Sequence, residues 1–451
     1  MTGGCFSHTF CGFSVWRSIC AVVSKTGNRI NSGLYGIMSD ATDNPVTVSP
    51  RSAWFAVLLL WIAYLINYVD RQTVFSIFPV FERELRLSSK ELGLVGSVFA
   101  WIYALCMPLA GRCGDMFRRD RIVVASLGVW SLATLGTGLS RSFSSLLGWR
   151  AVMGVSEALY IPSALGLIAV LHTTSTRSRA LALHGTAQFA GVVLGGWYGG
   201  WTAEHLGWRL GFAILAAAGL SYSFVLSKAL PAAAPPRAKQ SAAPSPFDIL
   251  GSRCYLALFA AFFALCLMVW VLYGWLPDWI YEKYGLSMAA SALSATIYLQ
   301  AGSALGVLLG GVAADWLRKR VRPARFYVCA FGLFLCAPFG YLTLAADSLA
   351  RLKIASGFFG LFGGFMIANI FASAYDVVRE RNYAFAAGVL NLGGGIASGA
   401  GLLLAGWWKE SGGVVTLMQR ASIASVFAAL LLASVAALRF DSDVARLSRS
   451  R

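Results

Sequence analysis

The chain has 451 residues, 57% hydrophobic and only 13% charged, with a mean hydropathy of +0.66 and a formal net charge of +17. A soluble protein carries roughly 25% charged residues. Here apolar blocks of about 20 residues alternate with short charged clusters, which excludes a soluble globule and reads as an all-α polytopic membrane protein. The basic residues are scattered over the connections, so the charge speaks for topology and anionic lipid headgroups and against nucleic acid.

In chain order, residues 1–52 are polar and Gly/Ser-rich and read as a disordered cytoplasmic tail. An apolar run from Trp16 to Val23 lacks a convincing cleavage site. The stretch MSDATDNPVTVSPRS from Met38 reads as an ordinary short tail, so Met38 is the expected start and 1–37 an extension.

Twelve candidate spans follow, near 53–79, 92–111, 121–140, 145–170, 180–203, 208–228, 254–281, 288–314, 324–345, 351–375, 384–407 and 414–438. An even number puts both termini on one side. The connections on that side carry 17 Lys and Arg against 10 on the other, so both termini are expected in the cytoplasm of a cell (inner or plasma) membrane protein. The Ala/Pro-rich stretch SKALPAAAPPRAKQSAAPSPFD, residues 227–248, is an extended linker that divides the spans six and six. The expected organisation is a bundle at 53–228, a linker at 229–251, a second bundle at 252–440 and a cytoplasmic tail at 441–451.

The halves echo each other. GRCGDMFRRDR after the second span holds Gly111, Asp115, Arg118 and Arg119; GGVAADWLRKR after the eighth holds Gly311, Asp315, Arg318 and Lys319. Glycine, acid and base recur at the same spacing, as in a transporter built from two parallel repeats. Gly111, Asp115, Arg118, Arg119 and Asp315 are therefore expected to govern conformation, not to touch substrate.

Charges inside spans are expensive and persist where they pair or line a wet cavity. Four stand out: Asp70, Arg71, Arg150 and Glu157. Arg150 and Glu157 are two helical turns apart on one face; Asp70 and Arg71, being adjacent, point about 100° apart. Arginine suits a carboxylate, so Arg71 and Arg150 are the expected anion grips and Asp70 and Glu157 the proton carriers. Polar and aromatic groups supply the second half: Tyr273, Trp275, Tyr298, Gln300, Asn369 and Asn391, with Tyr103 and Gln188 as further cavity candidates in the first. The nine cysteines form no C-x-x-C pair, the four histidines do not cluster, and no nucleophile–base constellation is readable. No metal, cofactor or enzymatic activity is expected.

The GRCGDMFRRDR loop resembles the signature between helices two and three of the major facilitator superfamily, with Met116 where an arginine is usual and Arg118 where a glycine is usual. NYVDR (67–71), RAVMGVSEALYIPSALG (150–166), YGWLPDWIYEKYGLS (273–287) and GVLNLGGGIASGAG (388–401) resemble its organic anion:cation symporters, which include hexuronate, galactonate and sialic acid transporters. The spinster-type lipid transporters share DRQTV and the fourth-helix pattern. The resemblance implies twelve helices in two six-helix bundles around a central cavity, with Asn391 facing substrate. It implies a monomeric proton-coupled symporter of a small organic anion such as a sugar acid, its partners being that anion, protons and membrane lipids. Alternatives are a spinster-like lysolipid carrier and a membrane sensor that kept the transporter fold.

Overall fold

The computed structural model describes residues 49–232, 249–411 and 413–448, apart from the side chains of Pro50, Asp115 and Ser448. The expected start at Met38 and the middle of the linker lie outside the described residues, as does the Asp115 side chain.

The first half comprises α1 (Pro50–Ser76), α2 (Phe78–Leu85), α3 (Ser89–Met116), α4 (Arg119–Gly138), α5 (Phe143–Ala158), α6 (Tyr160–Leu171), α7 (Thr174–His205) and α8 (Trp208–Ala229). The second comprises α9 (Arg253–Tyr284), α10 (Met288–Arg318), α11 (Ala324–Ala345), α12 (Leu349–Asp376), α13 (Tyr383–Ser411) and α14 (Val414–Ser448). Lipid offers no hydrogen-bonding partner, so a crossing must satisfy its own backbone. Serines begin many of these helices. Ser49, Ser88, Ser142, Ser252, Ser287 and Ser348 each accept from the backbone N–H three residues on, and Ser88 completes a capping box with Glu91.

Two of the expected spans are interrupted near prolines. Pro79 has no N–H to offer the Phe75 carbonyl, so the expected 53–79 span ends at Ser76, turns at Ile77 and restarts as α2. Pro162 does the same to Ala158. The expected 145–170 span breaks at Leu159 into α5 and α6, one turn being closed by Leu159 N–H donating to the Ser156 carbonyl at 3.2 Å. At the far end α14 continues through residues 441–448, where a tail was expected. Asp443 is buried there and accepts from Ser252 Oγ at 2.8 Å and Cys254 N–H at 2.9 Å, capping the start of α9.

Eleven helical stretches among the described residues are long and apolar enough to cross a membrane. The twelfth crossing, α7, is 32 residues long but diluted by Thr, Ser, His, Arg and Gly; it packs between α1 and α10. The internal repeat is visible in the packing. In the first half α1 packs on α7, α3 on α5, and α4 on α8; in the second, α9 packs on α13, α10 on α12, and α11 on α14. The halves meet through α3 against α13 and α7 against α10, which are equivalent pairs.

We call the end carrying the 77–88, 206–207 and 285–287 connections and Gly413 the hairpin end. Close backbone approach between the halves concentrates toward it: a Cβ at Gly200 would lie 2.5 Å from the Met288 backbone, and one at Gly93 2.8 Å from the Leu402 carbonyl oxygen. Ser97 Oγ also donates to the Gly399 carbonyl at 2.6 Å, and the Met288 N–H to a Glu204 carboxylate oxygen. The chain is thus an all-α membrane protein of two six-helix bundles.

Candidate functional site

On α1, Tyr64, Asn67, Tyr68 and Arg71 recur at helical spacing and share a face. Arg71 Nε donates to Glu157 Oε2 at 2.5 Å, and both side chains are buried. Glu157 sits next to the Pro162-induced break, at the last turn of α5. The Arg71 guanidinium lies 4.9, 5.0 and 4.6 Å from the ring centres of Tyr68, Phe99 and Tyr103, close enough for cation–π attraction.

Arg150, fully buried, has no carboxylate at salt-bridge distance among the described residues. Its Nη1 lies 3.1 Å from Met153 Sδ, its Nε 3.5 Å from the Val95 carbonyl, and its guanidinium 4.4 Å from the Phe99 ring centre. The two guanidiniums therefore share Phe99, and Glu157 pairs with Arg71, not with the arginine on its own helix. Asp70 turns away from Arg71, beside Thr134 and Trp130 of α4. The adjacent charges of NYVDR are thus assigned to different helices.

Several buried polar atoms here lack a hydrogen-bond partner: both amide atoms of Asn67, Asp70 Oδ1, Arg71 Nη2, Arg150 Nη2 and Glu157 Oε1. Unmade bonds on buried polar groups cost about 1–3 kcal/mol each, so such a concentration marks a place built for something other than stability. The cluster is formally neutral, with two guanidiniums and two carboxylates.

The other candidates fall into two groups. Gln188 Oε1 accepts from Tyr64 and Tyr68 hydroxyls at 3.3 and 3.4 Å, which joins α7 to the polar face of α1. Tyr273 O–H accepts from Gln300 Nε2 at 2.8 Å, while its carbonyl accepts from Gln72 Nε2 at 3.0 Å across the halves. Asn391 is half-buried and donates to its own helix at the Ala387 carbonyl. By contrast, Asn369 ties α12 to the Gly310 carbonyl of α10, Trp275 Nε1 donates to the Leu402 carbonyl, and Tyr298 lies exposed beside Lys353. Those three serve packing or the outer surface.

At the repeated loops, Arg118 pairs with Asp120 at 2.8 Å, and Arg119 donates to the Gly114 and Gly166 carbonyls at 3.1 and 3.0 Å, strapping α6 to the end of α3. Gly111 and Gly311 both face open space, and Asp315 is exposed.

A second charged cluster escaped the sequence reading, which found nothing comparable deep in the second half. Lys409 of α13 reaches Asp278 at 2.6 Å and Glu282 at 2.8 Å on α9, and Glu82 of α2 at 3.6 Å, so it bridges the halves at the hairpin end. Lys90 and Glu410 pair nearby at 3.1 Å. The three carboxylates converge as metal ligands would, but the Lys409 ammonium sits among them. Asp278 lay inside a recognised span and was the available signal; its partner, 131 residues on, was not readable. Asn67, Tyr68 and Phe99 were also missed, although the spacing of the first two with Arg71 marks a polar face of α1.

The Major Facilitator Superfamily model matches residues 60–401. The chain is 28% identical over 305 residues to protein spinster of Drosophila melanogaster, covering 64% of this chain and only half of that protein. It is 24% identical to the D-galactonate transporter of Escherichia coli O6:H1, covering 86% of this chain and 97% of the relative. It is 24% identical to the hexuronate transporter of Bacillus subtilis, covering 77% and 85%. Among solved structures, a bacterial homolog of the human lysosomal transporter Spinster, inward-facing and unoccupied, superposes with a TM-score of 0.69 at 19% identity, over 88% of this chain and 98% of that one.

Proposed function

Because the chain belongs to the Major Facilitator Superfamily, we propose that this multi-pass transporter performs proton-coupled symport of a small organic anion, a sugar acid or related carboxylate, by alternating access. It is a transporter of small organic molecules and not an enzyme. The named substrates of the galactonate and hexuronate transporters support the anion class. We place both termini in the cytoplasm of the cell membrane, in line with the loop charges, and take 53–228 and 252–440 as the two rocking bodies.

The observation that carries the proposal is the Arg71–Glu157 pair, buried beside Arg150 in a neutral cluster with spare donors on both arginines. A carboxylate substrate entering this cluster competes with Glu157 for Arg71. Left ionised, Glu157 would add an uncompensated negative charge in low dielectric, which costs several kcal/mol. A proton on Glu157 removes that charge, frees Arg71 and keeps the cluster neutral. Coupling of this kind is reciprocal: protonation promotes anion binding, and anion binding promotes protonation. Asp70, on the side of α1 that faces Thr134 and Trp130 of α4, is the second site through which a proton is relayed. Tyr103, Gln188, Tyr273 and Asn391 supply hydroxyl and amide groups for the rest of the substrate.

The test is transport in proteoliposomes with labelled D-galactonate and a panel of hexuronates. Glu157→Gln mimics the protonated state, so it should retain counterflow and lose accumulation driven by an inward proton gradient. Normal proton-driven accumulation by Glu157→Gln moves the proton site to Asp70.

One observation favours a second reading. A cavity of about 720 Å³ lies at the α7–α10 junction, lined by Phe189, Val193, Trp197, Leu293 and Ile297, with Gln300 among its lining groups. Trp197 and Ile297 are exposed on the membrane flank. Such an apolar side opening suits the tail of an amphiphile such as a lysolipid, with its head at the polar cluster. Competition between lysolipid and D-galactonate for uptake separates the two readings.

A further inference from the structure

Pro277 stands inside α9, about two turns before the helix ends at Tyr284. It has no N–H to offer the Tyr273 carbonyl four residues back, and its ring crowds that carbonyl. The first helix of the other half meets the same difficulty at Pro79 and stops at Ser76, whereas α9 runs unbroken from Arg253 to Tyr284. The freed Tyr273 carbonyl has a partner from across the halves: Gln72 Nε2 of α1 donates to it at 3.0 Å. Gln72 is 2% exposed. At neighbouring positions Phe75 meets Trp270 and Phe78 meets Trp275, with ring centres 6.3 and 5.1 Å apart, so α1 and α2 are packed on α9 there.

Lipid offers a proline-freed carbonyl no water, so a neighbouring helix has to satisfy it. An amide does so without bringing in a charge. Gln72 is also the residue next to Arg71, about 100° away on one helical turn. Arg71 is bonded to Glu157 of its own half, and Gln72 to the backbone of the other.

We propose that Gln72 is a positioning residue that braces α9 at Pro277. It keeps the last two turns of that helix in line while the hairpin end is closed, and it releases them to bend when α1 moves. Gln72 acts through the Tyr273 carbonyl and not on substrate. A movement of α1 that takes Arg71 from Glu157 to a bound anion carries Gln72 with it and unbraces the opposite half. That last link rests on the proposed anion site; the bracing does not.

Double electron–electron resonance between labels on α2 and on the last turn of α9 reads the bend, with full-length transporter in nanodiscs and no substrate. Gln72→Met keeps the length of the side chain but has no donor. It should raise the bent population about five-fold, the worth of roughly one net hydrogen bond. Pro277→Ala restores the N–H that the Tyr273 carbonyl lacks. In that background Gln72→Met should change the population by less than about two-fold. Gln72→Asn keeps the amide but falls short by one carbon; it should behave as Gln72→Met does, and it serves if the methionine variant does not fold. Equal shifts with and without Pro277 overturn the bracing, because Gln72 then acts through something other than the freed carbonyl. No shift in either background overturns it as well. If wild type does not bind D-galactonate, the anion reading loses its support while the substrate-free cycle still decides the bracing.

Discussion

The central cluster on α1 and α5 and the hairpin-end cluster on α2, α9 and α13 both set basic groups against carboxylates, yet they differ in what each charge has within reach. In the centre, two arginines share one aromatic ring, one carboxylate holds one of them, and each of the four charged side chains keeps an unpartnered buried atom. At the hairpin end, a single lysine is held by three carboxylates from both halves, and of these four charged side chains only Asp278 keeps a buried atom, its Oδ1, without a partner. The first arrangement lies within one bundle and has bonding capacity to spare; the second spans two bundles and spends its capacity holding them together. Unspent capacity suits binding, and spent capacity across a moving boundary suits a gate.

The largest effect should come from the centre. Arg71→Ala leaves Glu157 buried without its cation, a change worth about 3–5 kcal/mol in comparable pairs, so a large drop in detergent melting temperature and loss of uptake are expected. Adding Glu157→Gln should restore the melting temperature but not the uptake. Recovery of transport in the double variant would mean that the pair is structural, and the contrast between the clusters would fall.

Arg150→Lys keeps the charge but loses the planar fork, so binding of the substrate anion should weaken about 10-fold while folding is retained. Calorimetry or substrate-protected labelling reads this directly. An unchanged affinity would remove Arg150 from the grip and leave Arg71 alone.

Lys409→Met should act on conformation. Glu82, Asp278 and Glu282 would then repel across the boundary, opening the hairpin end and shifting the balance of states a few-fold, with substrate affinity within a few-fold of wild type. Double electron–electron resonance between labels on α2 and α13 measures the separation. A distance distribution identical to wild type would show that the backbone contacts near Gly93 and Gly200 close this end unaided.

The smallest effect is expected at Glu84, also near the hairpin end but tying α2 only to α8 of the same half. Trp208 Nε1 donates to its carboxylate at 2.7 Å and Arg209 pairs with it at 2.9 Å, and the Trp208 bond foremost holds its carboxyl below the usual range. A lowered folded-state value means stability that is present above the ordinary carboxylate range and lost as pH falls through the lowered one. Glu84→Gln should therefore lower the melting temperature slightly at neutral pH, with the difference vanishing in acid, and leave the α2–α13 distance unchanged. A changed distance would mean that any charge at this end acts as part of the gate.

Much of the architecture was legible from local pattern. Apolar runs and serine caps set the crossings, because a helix in lipid must satisfy its backbone internally and bury its ends against polar partners. The breaks at Ser76 and Leu159 were also written in the sequence, at Pro79 and Pro162, although the apolar runs on either side hid them. The four central charges stood out because charge is costly in such segments. Their pairing did not: helix periodicity put Glu157 with Arg150, while the fold brought the Arg71 side chain of α1 to it.

What the sequence by itself determined, then, is an all-α membrane chain, its six-and-six division, its internal repeat and the identity of the costly charges. Each of these depends on neighbours in sequence or on a fixed spacing. Only the tertiary structure decided that Asp70 turns to α4, that Phe99 comes within cation–π reach of two arginines, that Lys409 meets Asp278, and that Tyr298 and Asn369 stand away from the polar centre. These choices depend on which helix faces are pressed together. In a chain whose helices are apolar nearly all round, side-chain periodicity marks a polar face but cannot say which neighbour receives it.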